Sequence, residues 1–136
     1  MRTILVLDDE VTLMGPLCRL LQLHGYRTLQ ASDAEEALQQ FHANDCRIDL
    51  LIADVSLPIG SGVQVAVALR AEQPELSVIL ATGYPSHTWR ARDYALLGRL
   101  GPDSVSILRK PFAAQTLLYT IECLLGEEQH KAARTA

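Results

Sequence analysis

An α/β fold, with five βα units wound on both faces of one parallel sheet, follows from three features of the 136-residue chain. Five short runs, at residues 4–7, 26–31, 49–54, 77–81 and 105–108, have the length and composition of strands. Between and after them lie segments whose apolar residues recur at helical spacing. Most of the strand runs are continuously apolar and do not alternate, which implies burial on both faces, as in a parallel sheet covered by helices. Right-handed crossovers then leave the open doubly wound sandwich as the simplest topology.

The elements follow in order. Residues 4–7 (ILVL) are rich in branched side chains and read as a buried strand. Leu13, Leu17, Leu20, Leu21 and His24 predict a helix that stops at Gly25. The Gly15-Pro16 pair is expected to loosen its first turn without preventing it. Residues 26–31 form a weaker strand. Ser32-Asp33-Ala34-Glu35 has the pattern of a capping box, with Ala34, Ala37, Leu38 and Phe41 as the apolar stripe behind it. Residues 49–54 are the third strand. Val63, Ala66 and Leu69 mark a helix that opens after Gly62 and ends before Pro74. Residues 77–81 (SVILA) are the fourth strand. Residues 85–100 carry Trp89, Leu96, Leu97 and Leu100 at helical spacing, with Gly101-Pro102 as the stop. Residues 105–108 are the fifth strand. Leu117, Leu118, Ile121, Leu124 and Leu125 make a last helix closed by Gly126. The expected organisation is one domain over residues 1–126 and a polar tail, EEQHKAARTA, over 127–136, frayed or extending the last helix.

Composition excludes several classes. Hydrophobic residues at 49% and charged residues at 21% are an ordinary globular balance for a single core. A net charge of −4 leaves no broad basic surface for direct nucleic-acid binding. No apolar stretch approaches the roughly 20 residues of a membrane span. MRTILVLDDE reads as a strand and not as a signal peptide, because its apolar run is short and ends in acids. Cys18, Cys46 and Cys123 show no C-x-x-C or zinc spacing and are expected to be reduced thiols of a cytoplasmic protein.

The informative residues stand where strands end. In a parallel sheet all strands end on one edge, and ligands bind in the crevice beyond it. The first strand ends in Asp8-Asp9, the third in Asp54, the fourth in Thr82 and the fifth in Lys110. Each alone has a plainer reading. Asp8-Asp9 suits a helix N-terminus, Asp54 a turn, Thr82 a strand end and Lys110 a solvated loop. Together they are chemically complementary. Like charges about 4 Å apart repel by roughly 4 kcal/mol at an effective dielectric near 20, so three carboxylates in one crevice call for cations. Lys110 supplies one charge and a divalent ion two more. Hard oxygen ligands point to Mg²⁺. Carboxylates, Mg²⁺, a lysine and a hydroxyl are the equipment of phosphoryl transfer, in which an aspartate can itself be the nucleophile.

At these residues the chain resembles a response-regulator receiver domain, the acceptor module of two-component signalling. The resemblance runs over about residues 2–125 and rests on LDDE, DVSLPIGSG, ATG and KPF. It implies a flavodoxin-type sheet of strand order 2-1-3-4-5. It also implies that Asp54 is the phosphoacceptor, and that Mg²⁺ is bound by Asp8, Asp9, Asp54 and the backbone carbonyl of Ser56. Thr82 and Lys110 would hold the phosphoryl oxygens, and the Lys110-Pro111 bond would be cis. The chain departs from the family pattern twice. Ile107 replaces the usual aromatic three residues before the lysine, so switching is expected to use backbone and loop movement. The segment between Thr82 and Lys110 is longer than usual by roughly one to two helical turns. Ser56 and Tyr84 take the positions that flank the line of water attack, and Tyr84 is expected to shield the phosphoryl group.

The implied function is a cytoplasmic switch whose donor is a sensor histidine kinase or a phosphotransfer protein and whose output is contact with a downstream protein; a homodimer is allowed for. GYP and the late KPF look more like receivers attached to or partnered with sensor kinases than those of transcription factors. The starting Met and the ten residues after Gly126 lean toward a free-standing protein with no output domain. Two other readings stand beside it. One is a pseudo-receiver that only binds. The other is a Mg²⁺-dependent phosphohydrolase of the haloacid-dehalogenase type, disfavoured because Asp8 and Asp9 are adjacent and the chain has no room for a cap domain. His24, His42, His87 and His130 share no spacing and are read as surface residues. Trp89 is read as a packing anchor or partner contact. Arg90, Arg92 and Arg99 are read as a solvated face.

Overall fold

The computed structural model describes residues 1–85 and 88–126. Strands β1 (Thr3–Leu7), β2 (Arg27–Ala31), β3 (Leu50–Asp54), β4 (Ser77–Thr82) and β5 (Val105–Arg109) alternate with helices α1 (Val11–Leu23), α2 (Ala34–Ala43), α3 (Gly62–Glu72), α4 (Ala91–Leu100) and α5 (Ala114–Leu125). The strands form one parallel sheet in the order β2-β1-β3-β4-β5, as expected. The most apolar sequences occupy its centre: every residue of β1, β3 and β4 is buried. The edge strands β2 and β5 are half exposed, which matches their more polar sequences.

Successive side chains of a strand point to opposite faces, and the core divides accordingly. Ile4 and Val6 pack with Met14, Cys18, Leu21, Leu117 and Ile121 of α1 and α5. Leu5 and Leu7 pack on the other face with Phe41, Val63, Leu69 and Leu100 of α2, α3 and α4. Burying a leucine-sized side chain contributes about 1.5–3 kcal/mol, so the continuous strands that suggested the fold are also what hold it together.

Several local details differ from the sequence expectation. Gly15-Pro16 falls inside a continuous α1, and the first turn stays bonded through Leu13 N–H and Met14 N–H to the Glu10 carbonyl, at 3.0 and 3.3 Å. Pro clashes with the Cβ of the residue before it, and glycine at that position removes the clash. The capping box of α2 is shifted by one residue. Asp33 is the cap and accepts from the Glu36 N–H at 2.8 Å, while Glu36 Oε1 accepts from the Ser32 N–H at 2.7 Å. The fourth helix begins at Ala91, not at residue 85. Before it, the Thr88 N–H and hydroxyl both donate to the Pro85 carbonyl, at 2.9 and 2.7 Å, and such local bonds compete with helix. The expected cis peptide at Lys110-Pro111 is present. Gly126 closes α5 in the left-handed conformation, with φ 61°. The tail after it and the surface readings of His87 and His130 lie outside the described residues. His24 and His42 are exposed, and Cys18, Cys46 and Cys123 are free thiols.

A tie the sequence reading did not anticipate comes from Arg70 of α3. Its guanidinium donates to the carbonyls of Leu76 at 2.9 Å, Leu100 at 2.6 Å and Ser104 at 3.1 Å, fixing the loops before β4 and β5. No helix among the described residues is long and apolar enough to cross a membrane.

Gly62 opens α3 directly under the third strand. A Cβ there would lie 2.2 Å from the Asp54 carbonyl oxygen and 3.0 Å from the Ala53 Cβ. Gly62→Ala is therefore expected to cost about 1–3 kcal/mol. Gly98→Ala, in α4 with nothing within 4 Å of the new atom, should gain about 0.5–1 kcal/mol. Urea unfolding of the two variants checks both signs.

Candidate functional site

Register sets the site. Leu7 pairs with Ala53, which places Asp8 level with Asp54 across two neighbouring strands. Asp54 pairs with Ala81, and Thr82 with Arg109. The ladder continues past the strand ends: Asp8 N–H donates to Ala31 O at 3.1 Å, Val55 N–H to Ala81 O at 2.9 Å and Lys110 N–H to Thr82 O at 2.8 Å. The backbones that carry the acids and the lysine are thus held before any side chain contributes.

Lys110 Nζ bridges the two buried acids, 3.0 Å from Asp8 Oδ2 and 3.3 Å from Asp54 Oδ2. The second oxygens are held from the backbone: Asp8 Oδ1 accepts from Glu10 N–H at 2.9 Å and Asp54 Oδ1 from Ser56 N–H at 3.1 Å. Asp8 is 8% and Asp54 7% exposed, while Asp9 faces solvent. One carboxylate oxygen from each of Asp8, Asp9 and Asp54 lies within 4.8 Å of the others. Three hard oxygen donors at that spacing, with one open to solvent, fit a divalent cation such as Mg²⁺.

The electrostatics follow from burial. Desolvation pushes the Asp54 carboxyl above its ordinary range, only partly offset by the Lys110 charge and the Ser56 N–H. For Lys110 burial pulls the other way, but the hydrogen bond to Asp8 and the charges of Asp54 and Asp8 outweigh it and hold the ammonium above its usual value. The lysine stays charged, and the Asp54 carboxyl is incompletely solvated beside it.

Thr82 reaches the same edge and is 1% exposed, but its hydroxyl is turned to the following loop. It donates to the Tyr84 carbonyl at 2.9 Å and accepts from the Tyr84 N–H at 3.0 Å. Ser56 and Tyr84 line one cavity of about 150 Å³ together with Val55 and Leu57 of the loop after Asp54, and the Tyr84 residue is 64% exposed. Trp89 lines it too; the ring packs on the core and Nε1 donates to Tyr84 O at 3.2 Å. Ile107 is apart from this cluster. It is 38% exposed on β5 and lines an apolar groove with Leu97 and Val105. Arg90, Arg92 and Arg99 are exposed.

The sequence reading missed Ser61 and Asp93. Ser61 caps α3 by accepting from Gln64 N–H at 3.2 Å, and its hydroxyl donates to Asp93 Oδ1 at 2.7 Å. Asp93 is 4% exposed, although it stands among arginines in the sequence. Its burial is set by the packing of α4 on α3, for which the sequence carried no signal. Ser61 also forms a bridge with Ser56, so the acid of α4 is two contacts from the loop after Asp54.

Comparison with known proteins agrees with the fold. The family described as response regulator receiver domain matches residues 4–122. The transcriptional regulatory protein CpxR of Escherichia coli (strain K12) is 34% identical over 125 residues, which are 92% of this chain and 50% of that protein. The chain spans about half the length of the first curated relatives it matches. A receiver domain structure from Clostridium thermocellum superposes with a TM-score of 0.79 at 30% identity, covering 95% of this chain and 98% of that one. The response regulator TrrA of Thermotoga maritima, solved in complex with Mg²⁺-BeF, gives a TM-score of 0.74 at 29% identity, covering 92% of this chain and 100% of that one.

The Ser61–Asp93 pair yields a stability test. Ser61→Ala removes a helix cap and leaves a buried carboxylate without its hydroxyl, an expected loss of about 1–3 kcal/mol. Asp93→Asn keeps an acceptor and should cost less. Urea midpoints at neutral pH rank the two.

Proposed function

The chain belongs to the response regulator receiver family, and on that premise we propose that Asp54 accepts a phosphoryl group from a phosphohistidine and so switches protein contacts. The Asp54 carboxylate attacks phosphorus, the P–N bond to the donor imidazole breaks, and the imidazole leaves with the electron pair. The product is an acyl phosphate. What supports this most is the pairing of a buried, incompletely solvated Asp54 with Lys110 beside an accessible oxygen cluster.

Asp8, Asp9, Asp54 and the Ser56 carbonyl are the groups that would hold Mg²⁺. When bound, the ion neutralises charge on the transferring phosphoryl group. Lys110, charged and already at the Asp54 oxygen, is placed to pair with the phosphoryl oxygens. For Thr82 to donate its hydroxyl to a phosphoryl oxygen, the bond it donates to the Tyr84 carbonyl has to break, leaving that carbonyl to the Trp89 indole. Such a movement does not need an aromatic residue at 107. Tyr84, which lines the same cavity as Ser56, is the side chain we place over the line of water attack.

Receiver domains work with histidine kinases or phosphotransfer proteins. We propose one of these as the donor, a downstream protein or a second copy of the chain as the output contact, and the cytoplasm as the location. The domain is taken as residues 1–126, acting as a signalling acceptor that catalyses only its own phosphorylation and dephosphorylation.

Incubation with acetyl phosphate followed by intact mass tests the acceptor. Wild type is expected to gain one phosphoryl mass with Mg²⁺ and none with EDTA, and Asp54→Asn none at all. Gain of mass by Asp54→Asn overturns the assignment. Failure of wild type to react while still binding Mg²⁺ points instead to the pseudo-receiver. Lys110→Ala should keep most of the metal binding but lose the conformational response to phosphorylation. Autodephosphorylation, timed for wild type, Tyr84→Ala and Tyr84→Glu, is expected to be faster in both variants; an unchanged rate in Tyr84→Ala removes the shielding role.

A further inference from the structure

At the opposite edge of the sheet from Asp54, the C-terminal ends of α2 and α3 bring three unlike donors together. His42 lies in the last turn of α2, Cys46 in the turn that follows, and Glu72 is the last residue of α3. His42 Nε2 is 3.0 Å from Glu72 Oε2, and the Cys46 thiol donates to Glu72 Oε1 at 3.6 Å. One ligand atom from each of the three lies within 4.8 Å of the others. The Cys46 position comes from an uncommon backbone. Asp45 and Cys46 are both left-handed, at φ 60° and 54°, a region that non-glycine residues seldom adopt. The bonds Asp45 N–H to His42 O at 3.1 Å and Cys46 N–H to Phe41 O at 2.9 Å hold that turn. It folds Cys46 back toward His42, four residues earlier, and toward Glu72, 26 residues later.

We propose that His42, Cys46 and Glu72 form a binding site for a borderline transition-metal ion, Zn²⁺ by ligand chemistry, separate from the carboxylate cluster at the phosphoacceptor. An imidazole nitrogen, a thiolate and a carboxylate oxygen are a ligand set that Zn²⁺ accepts, with water in the fourth tetrahedral position. Mg²⁺ demands oxygen donors and does not compete for a thiolate. On binding, the Cys46 S–H bond breaks and the S–Zn bond forms. The proton now shared with Glu72 leaves to solvent, and the imidazole binds through a neutral nitrogen. Glu72 exchanges its contacts with His42 and the thiol for the metal. The ion would then join the C-terminal ends of the two helices. The sequence shows no paired-cysteine spacing because the set holds a single cysteine, and its third ligand comes from another helix.

The test is Co²⁺ titration of the reduced full chain with Mg²⁺ in excess, which occupies the hard-oxygen site. We expect one equivalent of Co²⁺ to give tetrahedral visible bands and a thiolate-to-cobalt charge-transfer band, both displaced by Zn²⁺. The charge-transfer band should be lost in Cys46→Ser and retained in Cys18→Ser, Cys123→Ser and Asp54→Asn. His42→Gln and Glu72→Gln should each weaken binding by about tenfold or more. Zn²⁺ should raise the melting temperature of wild type by more than that of His42→Gln at the same concentration. Absence of the band at stoichiometric Co²⁺, or its survival in Cys46→Ser, overturns the proposal. If Cys46→Ser does not fold, unchanged Co²⁺ affinity in both His42→Gln and Glu72→Gln does the same.

Discussion

Complete burial of β1, β3 and β4 governs where this molecule can keep charge. A strand covered by helices on both faces offers no water to a polar side chain, and an unpaired charge there costs several kcal/mol. The polar residues of these strands accordingly fall at their ends: Thr3 and Ser77 where the strands begin, Asp54 and Thr82 where they finish. Because the strands are parallel and in register, their ends converge on one edge. The same constraint that builds the core therefore assembles the acids, the hydroxyl and the lysine.

Convergence of like charges needs its own balance. Lys110 spans Asp8 and Asp54, and backbone N–H groups hold their outer oxygens. That leaves Asp9 as the exposed member of the oxygen cluster. Beneath it the approach of α3 is so close that Gly62 has no room for a Cβ against the Asp54 carbonyl. Asp54 thus stands on a closely packed floor, in keeping with chemistry that depends on positioning.

The neighbourhood above the floor is built differently. The Thr82 hydroxyl, the Tyr84 backbone and the Trp89 indole form one chain of hydrogen bonds. Trp89 and Asp93 line the same cavity, and Asp93 returns through Ser61 to the loop after Asp54. This circuit does not involve Ile107, which lines a separate groove with Leu97 and Val105. A family member without the usual aromatic at that position still has continuous contacts from Thr82 to the fourth helix.

The fold and the location of the site were legible in the sequence because both rest on short-range patterns. Continuous apolar runs mark buried strands, helical periodicity marks their covers, and in a parallel sheet a reactive residue at each strand end is already an address. Local chemistry misled where a neighbouring residue could do the same job. Asp33 took the cap expected of Ser32, and Thr88 bonded its own loop where a helix was expected. Gly15 let Pro16 sit inside a helix whose first turn stayed intact. By itself the sequence determined the five βα units, the edge that carries Asp8, Asp9, Asp54, Thr82 and Lys110, and the family. Tertiary structure alone decided that Lys110 ties Asp8 to Asp54, that Thr82 faces its loop, that Asp93 is buried on Ser61, and that Cys46 meets His42 and Glu72. Those are contacts between residues far apart in the chain or turned by backbone torsion. Their existence depends on distances of a few ångströms that spacing along a sequence does not encode.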